Sequence, residues 1–251
     1  MNDDQARWTE VEHLPEWDEE FYDVYTAKTH GKWVMLKTLK PQFKDDSDMR
    51  QMLEKEFDAR YNLAHPNIIM INDFEDVPGV GLSIITDDVY GDSLAKLLKE
   101  GKVTEKHVEK LRTQLVSALQ YIQDNHLVHR PLTPENIIFT ENIGNLKLID
   151  VGFEQHTHLS HSETNDDIHR YGLIVKDVLK QTGIHDAQLS KVADKCLDPK
   201  RPYANANQLS LALSNRSNHK LYTWIICFLV IMIIVLVWLS ICPPKPINPA
   251  V

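Results

Sequence analysis

The sequence predicts an α+β fold in two lobes, followed by one membrane-spanning helix. Short runs rich in apolar and β-branched residues, such as 32–39 and 82–86, are typical of strands and lie in the first part of the chain. Amphipathic stretches at helical spacing dominate the second part. This order of strands and then helices favours an α+β arrangement. An uncharged apolar run at 221–241 predicts the membrane helix.

The remaining elements of the soluble part follow from local patterns. The first predicted helix, at 46–64, carries apolar residues at helical spacing, with Phe57 and Leu63 among them. A longer amphipathic helix is predicted at 104–126, where Thr104 is placed to act as the N-cap. Further strands are predicted at 136–139 and 145–149, and further helices at 167–181, 186–197 and 205–215.

The composition excludes several classes of protein. The formal net charge is −9, whereas a nucleic-acid partner calls for a basic surface. The three cysteines, Cys196, Cys227 and Cys242, have no metal-ligand spacing and suggest no disulfide framework. This cysteine usage favours a reducing compartment for the bulk of the chain. The acidic N-terminus lacks the apolar core of a signal peptide.

The run at 221–241 has the length and composition of a transmembrane helix. It holds 21 residues without a charge, a proline or a glycine, which as a helix span about 31 Å, close to the thickness of the bilayer hydrocarbon. Tyr222, Trp224 and Trp238 lie near its ends, where aromatic residues favour the membrane interface. These features predict a single membrane crossing.

The flanking charges predict the orientation of this helix. Arg216 and Lys220 precede it, and only Lys245 follows it. The positive-inside rule therefore puts residues 1–220 in the cytoplasm. A single-pass protein of a bacterial inner membrane is the favoured localisation, and a eukaryotic tail-anchored protein also fits. Residues 242–251 are expected to form a short Pro-rich tail.

Two motifs stand in order in the middle of the chain, with predicted strands between them. Residues 129–136 read HRPLTPEN, and residues 150–152 read DVG. Together they resemble the catalytic and metal-binding loops of eukaryotic-type (Hanks-type) protein kinases, whose pattern is H-R-D-L-K-P-x-N followed by D-F-G. The spacing matches throughout. The resemblance implies a two-lobed protein-kinase-like fold, with a small β-rich N-lobe and a helical C-lobe.

Further stretches extend this resemblance over about residues 20–215. Lys37 matches the lysine of the third kinase strand, and Glu56 matches the glutamate of the helix that follows it. The other matching stretches are HPNI at 65–68, the hinge ITDDVYG at 85–91 with Thr86 as gatekeeper, DIHRYG at 167–172 and CLDPKRP at 196–202.

These matches set the predicted domain boundaries. They are an N-terminal extension at 1–15, a kinase-like domain at 16–216 with an N-lobe at about 16–86 and a C-lobe at about 91–216, a transmembrane helix at 221–241 and a tail at 242–251.

The resemblance implies a site for ATP and Mg²⁺. In the family, a Lys–Glu pair orients the lysine onto the nucleotide phosphates, and an Asp and an Asn hold the metal. The residues that match this nucleotide site are Lys37, Glu56, Asn136, Asp150 and the hinge residues Asp87 and Val89. Asn136 and Asp150 would also hold Mg²⁺, because carboxylate and amide oxygens suit a hard cation.

The catalytic loop departs from the family pattern at two positions. Pro131 occupies the catalytic-base position, where the family has an aspartate, and its side chain has no proton acceptor. Proton transfer or positioning by such a group typically contributes about 10²–10⁴-fold to the rate. Thr133 replaces the lysine that family members use on the γ-phosphate. No residue of this chain is therefore predicted to be catalytic.

The glycine-rich loop of the family is absent. Its three glycine positions fall on Trp17, Glu19 and Tyr22. Glycine lets the backbone approach phosphates closely, whereas bulky and acidic residues are expected to block or repel a triphosphate. Nucleotide binding is therefore left open by the sequence.

The segment that supports a peptide substrate in the family is also reduced. Only residues 153–166 separate the DVG motif from the predicted helix, and no A-P-E motif appears, so that Arg201 lacks its usual partner. Arg60 stands where the family usually has an apolar residue, and Val151 replaces the phenylalanine of D-F-G. The peptide platform is predicted to be missing.

A group of histidines lies in the same region, at His156, His158, His161 and His169. Imidazoles can share a divalent ion, so a metal site is one interpretation. A polar, solvated loop is the other interpretation, and it is preferred.

Three hypotheses about function follow. The leading one is a membrane-anchored pseudokinase that acts as a scaffold or allosteric regulator in a membrane-associated complex, with a protein partner and no nucleic acid. The second is a divergent active Ser/Thr-type protein kinase that uses Mg-ATP. The third is a nucleotide-free interaction module of a membrane assembly.

Overall fold

The computed structural model describes residues 7–141, 144–149, 154–214 and 224–233. The chain divides into two compact units, Met1–Leu213 and Ser214–Val251. The first unit holds both lobes of the kinase-like domain.

The N-lobe is built on a five-stranded antiparallel sheet in the order β1-β2-β3-β5-β4. The strands are β1 (Trp8–His13), β2 (Tyr22–Thr29), β3 (Lys32–Leu39), β4 (Ile71–Val77) and β5 (Gly81–Asp87). In β3 the side chains alternate between the two faces. Val34 and Leu36 are buried in an apolar cluster with Trp8 and Ala27. The alternation therefore places Lys37 on the opposite face.

Helix α1 (Ser47–Arg60) packs beside this sheet. Its N-terminus is capped by Asp46, whose carboxylate accepts hydrogen bonds from the backbone N–H groups of the first turn. Its buried residues are Leu53, Glu56 and Arg60. Their spacing of three and four residues puts them on one face, so the inward face of α1 carries charge as well as an apolar side chain.

The C-lobe is mainly helical. Its helices are α2 (Leu94–Lys99), α3 (Glu105–Lys110), α4 (Val116–Asp124), α5 (His161–Thr182), α6 (Ala187–Cys196) and α7 (Ala206–Ser214). A π-helical turn at Leu111–Leu115 joins α3 to α4 without a break. Short strands complete the lobe: β6 (Gly91–Ser93), β7 (Leu127–Val128), β8 (Ile137–Thr140), β9 (Leu146–Leu148) and β10 (Glu154–Gln155). They pair as β6-β8-β9 and β7-β10.

One glycine is required where α5 meets α6. A Cβ atom on Gly172 would lie 2.7 Å from the Cβ of Cys196 and 3.1 Å from the side chain of Leu197. Such a separation is too short for two carbon atoms. The absence of a side chain at Gly172 therefore allows the two helices to pack closely.

Most predicted elements of the C-lobe are confirmed within a few residues. Thr104 caps the helical segment that begins at Glu105, and its backbone N–H donates to His107 Nδ1 at 3.0 Å. The helix predicted at 167–181 begins earlier, at His161. A capping box explains this difference, because Ser160 and Glu163 satisfy each other's backbone N–H groups.

The N-terminal region differs more from the expectation. Residues 8–13, predicted as part of an extension at 1–15, form β1 and pair with β2. Only Trp8 of this strand is buried, and the other five residues are exposed. The strand therefore lacks the alternation of apolar and polar residues by which half-buried strands are recognised in a sequence.

In the second unit, residues 224–233 form a helix with exposed side chains. The rest of the predicted transmembrane helix, at 221–223 and 234–241, and the predicted tail at 242–251 lie outside the described residues. Within the part of the chain that the structure describes, no helix has the length and apolar character needed to cross a membrane.

Candidate functional site

The predicted Lys–Glu pair is formed between the sheet and α1. Strand β3 carries Lys37 and α1 carries Glu56, and the distance from Lys37 Nζ to Glu56 Oε1 is 3.1 Å. Both side chains are largely withdrawn from solvent, with exposed fractions of 12% and 1%. The two residues that the sequence assigned to a nucleotide site therefore meet.

Arg60 shares the carboxylate of Glu56. It lies one turn further along α1, and its Nη1 is 2.7 Å from the same oxygen, Oε1. The side chain of Arg60 is only 4% exposed. Burying a guanidinium is costly unless it is paired, and Glu56 supplies that partner. The charged residue at this usually apolar position is thus accommodated by an ion pair.

Glu19 belongs to the same site. One of its carboxylate oxygens, Oε1, lies 3.0 Å from Lys37 Nζ. The other, Oε2, lies 2.5 Å from Nη1 of Arg130, in the predicted catalytic loop. Glu19 stands at a position where the family has a glycine. A single carboxylate therefore links the lysine of the N-lobe to an arginine of the C-lobe.

Together these residues form a row of alternating charges, here called the charge row: Arg60, Glu56, Lys37, Glu19 and Arg130. The Nζ of Lys37 also lies 4.4 Å from the centre of the Tyr22 ring, within range of a cation–π contact. A phosphate brought to Lys37 would face the Glu19 carboxylate at close range and be repelled by it. The charge row satisfies Lys37 without an external anion.

The predicted hinge residue Val89 lies in an apolar cluster. Val89 is buried together with Ile69 and Ile138, and the side chains of Trp17 and Ile149 pack against the three of them. Trp17, like Glu19, stands at a glycine position of the family pattern. The hinge side of the cleft is therefore covered by an indole ring that belongs to the chain itself.

Asp87, the other predicted hinge contact, is engaged within the N-lobe. Its exposed carboxylate accepts a hydrogen bond from Asn72 Nδ2 at 3.0 Å. Its backbone N–H donates to the Met70 carbonyl at 3.3 Å, and its carbonyl accepts from Thr86 Oγ1 at 3.2 Å. The structure thus places Asp87 beside Val89, with its polar groups directed to protein partners.

A cavity of about 350 Å³ adjoins the hinge, with Trp33, Asp88, Val89 and Lys147 among its lining residues. Burial raises the pKa of Asp88 above its usual value, although hydrogen bonds from Tyr90 and Val89 oppose this shift. Lys37, Glu56 and Asn136 do not line this cavity. The cavity is therefore separate from the charge row.

The predicted catalytic loop is held by a buried histidine. His129 Nε2 lies 2.8 Å from Asp167 Oδ1 in α5, and His129 Nδ1 lies 2.6 Å from the Arg130 carbonyl oxygen. Burial alone would lower the pKa of His129, but the hydrogen bond and the negative charge of Asp167 outweigh it, and the pKa is raised. Because each ring nitrogen faces an oxygen acceptor, the charged imidazolium fits this position.

A second contact ties Asp167 to the rest of the lobe. Gln123 Nε2 donates to Asp167 Oδ2 at 2.9 Å, and Gln123 Oε1 accepts from the backbone N–H of Ala206 at 2.8 Å. The loop that begins at His129 is therefore connected through α4 and α5 to the start of α7. This network is structural, and it leaves Pro131 exposed beside it.

Of the predicted metal-binding pair, Asn136 and Asp150, only Asn136 lies among the described residues. Asn136 ends a short 3₁₀ helix, Pro134–Asn136, and its carbonyl oxygen accepts from the Ile149 N–H at 3.0 Å. Asn136 therefore lies next to the chain that leads to Asp150. Asp150 itself lies outside the described residues, so its role with Asn136 in holding Mg²⁺ stays a prediction.

The histidines at 156–169 do not form a metal site in the described part of the chain. His156 Nδ1 lies 3.4 Å from Glu163 Oε1, and the ring of His158 meets that of His126 edge to face. Ligand atoms come within metal-binding distance of one another elsewhere, at His13, Asp18 and Asp23, among the residues that the structure describes.

Sequence reasoning identified Trp17 and Glu19 as obstacles but not as partners. They were expected to block a nucleotide because they stand at two glycine positions of the family's glycine-rich loop. The contacts of Glu19 with Arg130 and of Trp17 with the Val89 cluster join residues far apart in the chain. No local pattern in the sequence reports such contacts.

Comparison with known proteins points to one family. The family described as "Protein kinase domain" matches residues 20–182. Serine/threonine-protein kinase 36 of Pongo abelii is 35% identical over 127 residues, which are 50% of this chain and 9% of that protein. A probable serine/threonine-protein kinase of Clostridium acetobutylicum is 24% identical over 242 residues, covering 75% of this chain and 36% of that protein. The chain thus covers well under two thirds of the length of these relatives.

Solved structures show the same fold. The crystal structure of the Mycobacterium tuberculosis PknI kinase domain superposes with a TM-score of 0.62 at 20% identity, covering 84% of this chain and 97% of that domain. At this level of identity the similarity concerns the fold alone. It agrees with the β-rich N-lobe and helical C-lobe described above.

Proposed function

Because the chain belongs to the protein kinase domain family, we propose that it is a pseudokinase that regulates or scaffolds a protein partner without transferring phosphate. The observation that carries this proposal is the position of Pro131. The loop around it is held in place by the His129–Asp167 contact at 2.8 Å. The missing base is therefore a local loss within a loop that keeps this family-like anchor.

The neighbouring features support the same function. Helix α5 begins at His161, so that only residues 153–160 lie between it and the DVG motif. In the family the corresponding segment carries the peptide substrate, and eight residues are too few to build such a platform. The charge row adds that Lys37 is already engaged by Glu19 and Glu56.

A phosphotransfer assay tests this proposal. The full chain, purified in detergent, would be incubated with radiolabelled ATP, Mg²⁺ or Mn²⁺, and generic protein substrates. The expected result is no incorporation above that of a Lys37→Met variant, because the chain lacks the group that positions the substrate hydroxyl. Incorporation that disappears in Lys37→Met would overturn the proposal.

One observation favours the alternative of a divergent active kinase. Lys37 and Glu56 are paired at 3.1 Å, as the nucleotide-binding set requires. This alternative predicts binding of Mg-ATP, which must raise the melting temperature if it binds only the folded state. A flat thermal-shift titration up to millimolar Mg-ATP would exclude it and would favour a nucleotide-free interaction module.

We further propose that the chain is anchored to a membrane through residues 221–241, with the kinase-like domain in the cytoplasm. The uncharged run and the flanking cations support this proposal. The chain should stay in the membrane pellet after alkaline carbonate extraction. A Leu229→Lys/Ile233→Lys variant should be released, since each lysine costs about 2.5–3.5 kcal/mol at the centre of a bilayer. Release of the unaltered chain would contradict anchoring.

The identity of the partner is a separate question with its own test. Cross-linking in intact membranes, followed by affinity purification of the tagged chain, should recover a protein partner that remains bound when Lys37 is replaced by methionine. Recovery of the isolated chain alone would contradict a scaffolding role.

A further inference from the structure

We propose that residues 15–19 are a built-in occupant of the cleft, which keeps an anion site closed until this segment is displaced. In this arrangement Trp17 covers the apolar hinge side and Glu19 neutralises the cations on the other side. Displacement of the segment would regulate access of nucleotide to the cleft, and this regulation rests on the proposed pseudokinase function. Nucleotide binding to the cleft is measured separately from phosphate transfer.

The first line of support is the apolar half of the cleft. Val89, Ile69 and Ile138 form a buried cluster, and the ring of Trp17 packs against it together with Ile149. An aromatic ring buries a large apolar area when it packs on such a surface. The part of this apolar surface that Trp17 covers is closed to a second ring.

The second line of support is the charge balance. The charge row contains three cations and two carboxylates, so its formal charge is +1 with Glu19 present and +2 when Glu19 is made neutral. The two oxygens of Glu19 contact Lys37 at 3.0 Å and Arg130 at 2.5 Å. This divided contact is the one that the oxygens of a phosphate group make with two cations. The Glu19 carboxylate thus occupies the position between the two cations that the phosphate of a ligand would take.

The third line of support is the way the segment is held. The Trp17 N–H donates to the Leu14 carbonyl at 2.9 Å, and the Glu19 N–H donates to the Tyr22 carbonyl at 2.9 Å. Asp18 Oδ1 accepts from the Val24 N–H at 2.9 Å. These short-range bonds fix the shape of the segment against the N-lobe. Its contact with the C-lobe is made by side chains, through the Glu19–Arg130 ion pair and the packing of Trp17 on Ile138. These backbone hydrogen bonds of the segment stay within the N-lobe, so displacement of the two side chains would open the cleft.

The site that displacement would open has a defined chemistry. It joins two cations, Lys37 and Arg130, to an apolar slot next to Val89. A ligand that combines a planar ring with a phosphate group, such as a nucleoside diphosphate, satisfies both halves. The chain as it stands satisfies both with Trp17 and Glu19, and therefore should bind such a ligand weakly or not at all.

The test measures nucleotide binding to the full chain and to variants of the segment. A fluorescent N-methylanthraniloyl-ADP would be titrated, with and without Mg²⁺, into the unaltered chain and a Trp17→Ala/Glu19→Gln variant. The expected result is at least a tenfold lower dissociation constant for the variant. A Glu20→Gln variant is the matched control, because it removes the same charge from an exposed neighbour. It should bind like the unaltered chain.

Two outcomes would overturn the proposal. One is binding to the unaltered chain within twofold of the variant, because the segment then does not close the cleft. The other is a variant that unfolds cooperatively in urea and still binds nothing at millimolar ligand, because the cleft is then no anion site. If the double variant fails to fold, the same titration is made with Glu19→Gln, which keeps Trp17 and removes only the charge. Its dissociation constant is then judged by the same two criteria.

The phosphotransfer assay gives an independent result. Nucleotide binding by the double variant without any phosphate transfer supports both proposals. Nucleotide binding with phosphate transfer would refute the pseudokinase function and leave the built-in occupant standing. If all variants bind nucleotide equally and none transfers phosphate, the built-in occupant is refuted and the pseudokinase function stands.

Discussion

Arg60 and Lys37 share a single oxygen atom of Glu56, at 2.7 Å and 3.1 Å. Glu56 is fully buried, so its charge is compensated by these two cations and little by water. Kinase resemblance alone would assign Glu56 to nucleotide binding. The contact with Arg60 indicates that Glu56 also stabilises the N-lobe.

Replacing Glu56 by glutamine should therefore destabilise the fold. The change leaves the buried Arg60 without a counter-charge, and removing one partner of a buried pair costs about 3–5 kcal/mol. Urea denaturation followed by circular dichroism measures this loss. Glu54→Gln, at an exposed position of the same helix, should change stability by less than about 0.5 kcal/mol. Equal urea midpoints for the two variants would contradict the role of the pair.

Replacing Arg60 as well should recover part of that loss. In Glu56→Leu/Arg60→Leu no guanidinium remains buried without a partner, and apolar replacements of a buried pair are often neutral. The double variant should therefore lose less unfolding free energy than the sum of the losses in Glu56→Leu and Arg60→Leu. In a double-mutant cycle the difference should be at least about 0.5 kcal/mol. Strict additivity would show that Arg60 and Glu56 do not interact.

The His129–Asp167 contact should make stability depend on pH. The folded-state pKa of His129 is raised above the ordinary value of 6.5. The protonated ring is thus favoured by folding, so its contribution is fully present below about pH 6.5 and is lost as the pH rises through the raised pKa. Unfolding free energies from pH 5.5 to 9 should show this decline in the unaltered chain. The difference in unfolding free energy between the unaltered chain and a His129→Gln variant, followed over this pH range, gives the contribution of His129.

His65 provides a control of the opposite sign. Burial, aided by the charge of Lys147, lowers its pKa below 6.5. Its neutral form is favoured by folding, so its contribution is present above about pH 6.5 and is lost as the pH falls through the lowered pKa. A His65→Gln variant should differ from the unaltered chain on the acid side, where the His129 effect does not change. The same direction in both variants would refute these assignments.

Gly172→Ala should weaken the packing of α5 on α6. The added methyl group would lie 2.7 Å from the Cβ of Cys196, and overpacking of this kind typically costs about 1–3 kcal/mol. Thermal unfolding of the purified chain measures the effect. Leu173→Ala, at the neighbouring position that is 49% exposed, should change stability much less. A larger loss in Leu173→Ala would be inconsistent with the close approach at Gly172.

The thiol of Cys196 should be unreactive in the folded protein. It is 1% exposed, and burial raises its pKa to about 12 from an ordinary 9.0. The thiolate is the nucleophile, so at pH 8 its population is lower by about a thousandfold than in the unfolded chain. Iodoacetamide labelling of the Cys196 peptide, followed by mass spectrometry, should be at least about a hundredfold slower without urea than with it. Equal rates would place Cys196 at a solvent-accessible position.

The fold was predictable where motifs and helical periodicity coincide. The pairing of Lys37 with Glu56 followed from two matches in register, and the capped helix at Thr104 followed from its apolar stripe. The early start of α5 at His161 could also have been found, because the Ser160-x-x-Glu163 capping box is visible in the sequence.

The charge row was not predictable, for a physical reason. Glu19 and Arg130 come from separate lobes, and the contact exists only after the lobes pack. Arg60 was noted as a departure from the family, but its pairing with Glu56 was not inferred, although residues four apart on a helix lie on one face. The sequence indicated which residues were unusual, and the fold indicates what they contact.

Strand β1 has a consequence for handling the domain. It is the outer strand of the N-lobe sheet, and it carries the exposed acidic residues Glu10 and Glu12 at an irregularity in its pairing with β2. Charge and irregular pairing at the edge of a sheet hinder the addition of further strands. A chain shortened to begin at residue 16 would lose this edge and the cover that Trp8 gives to Ala27 and Val34. Such a shortened chain should aggregate through the uncovered edge of β2.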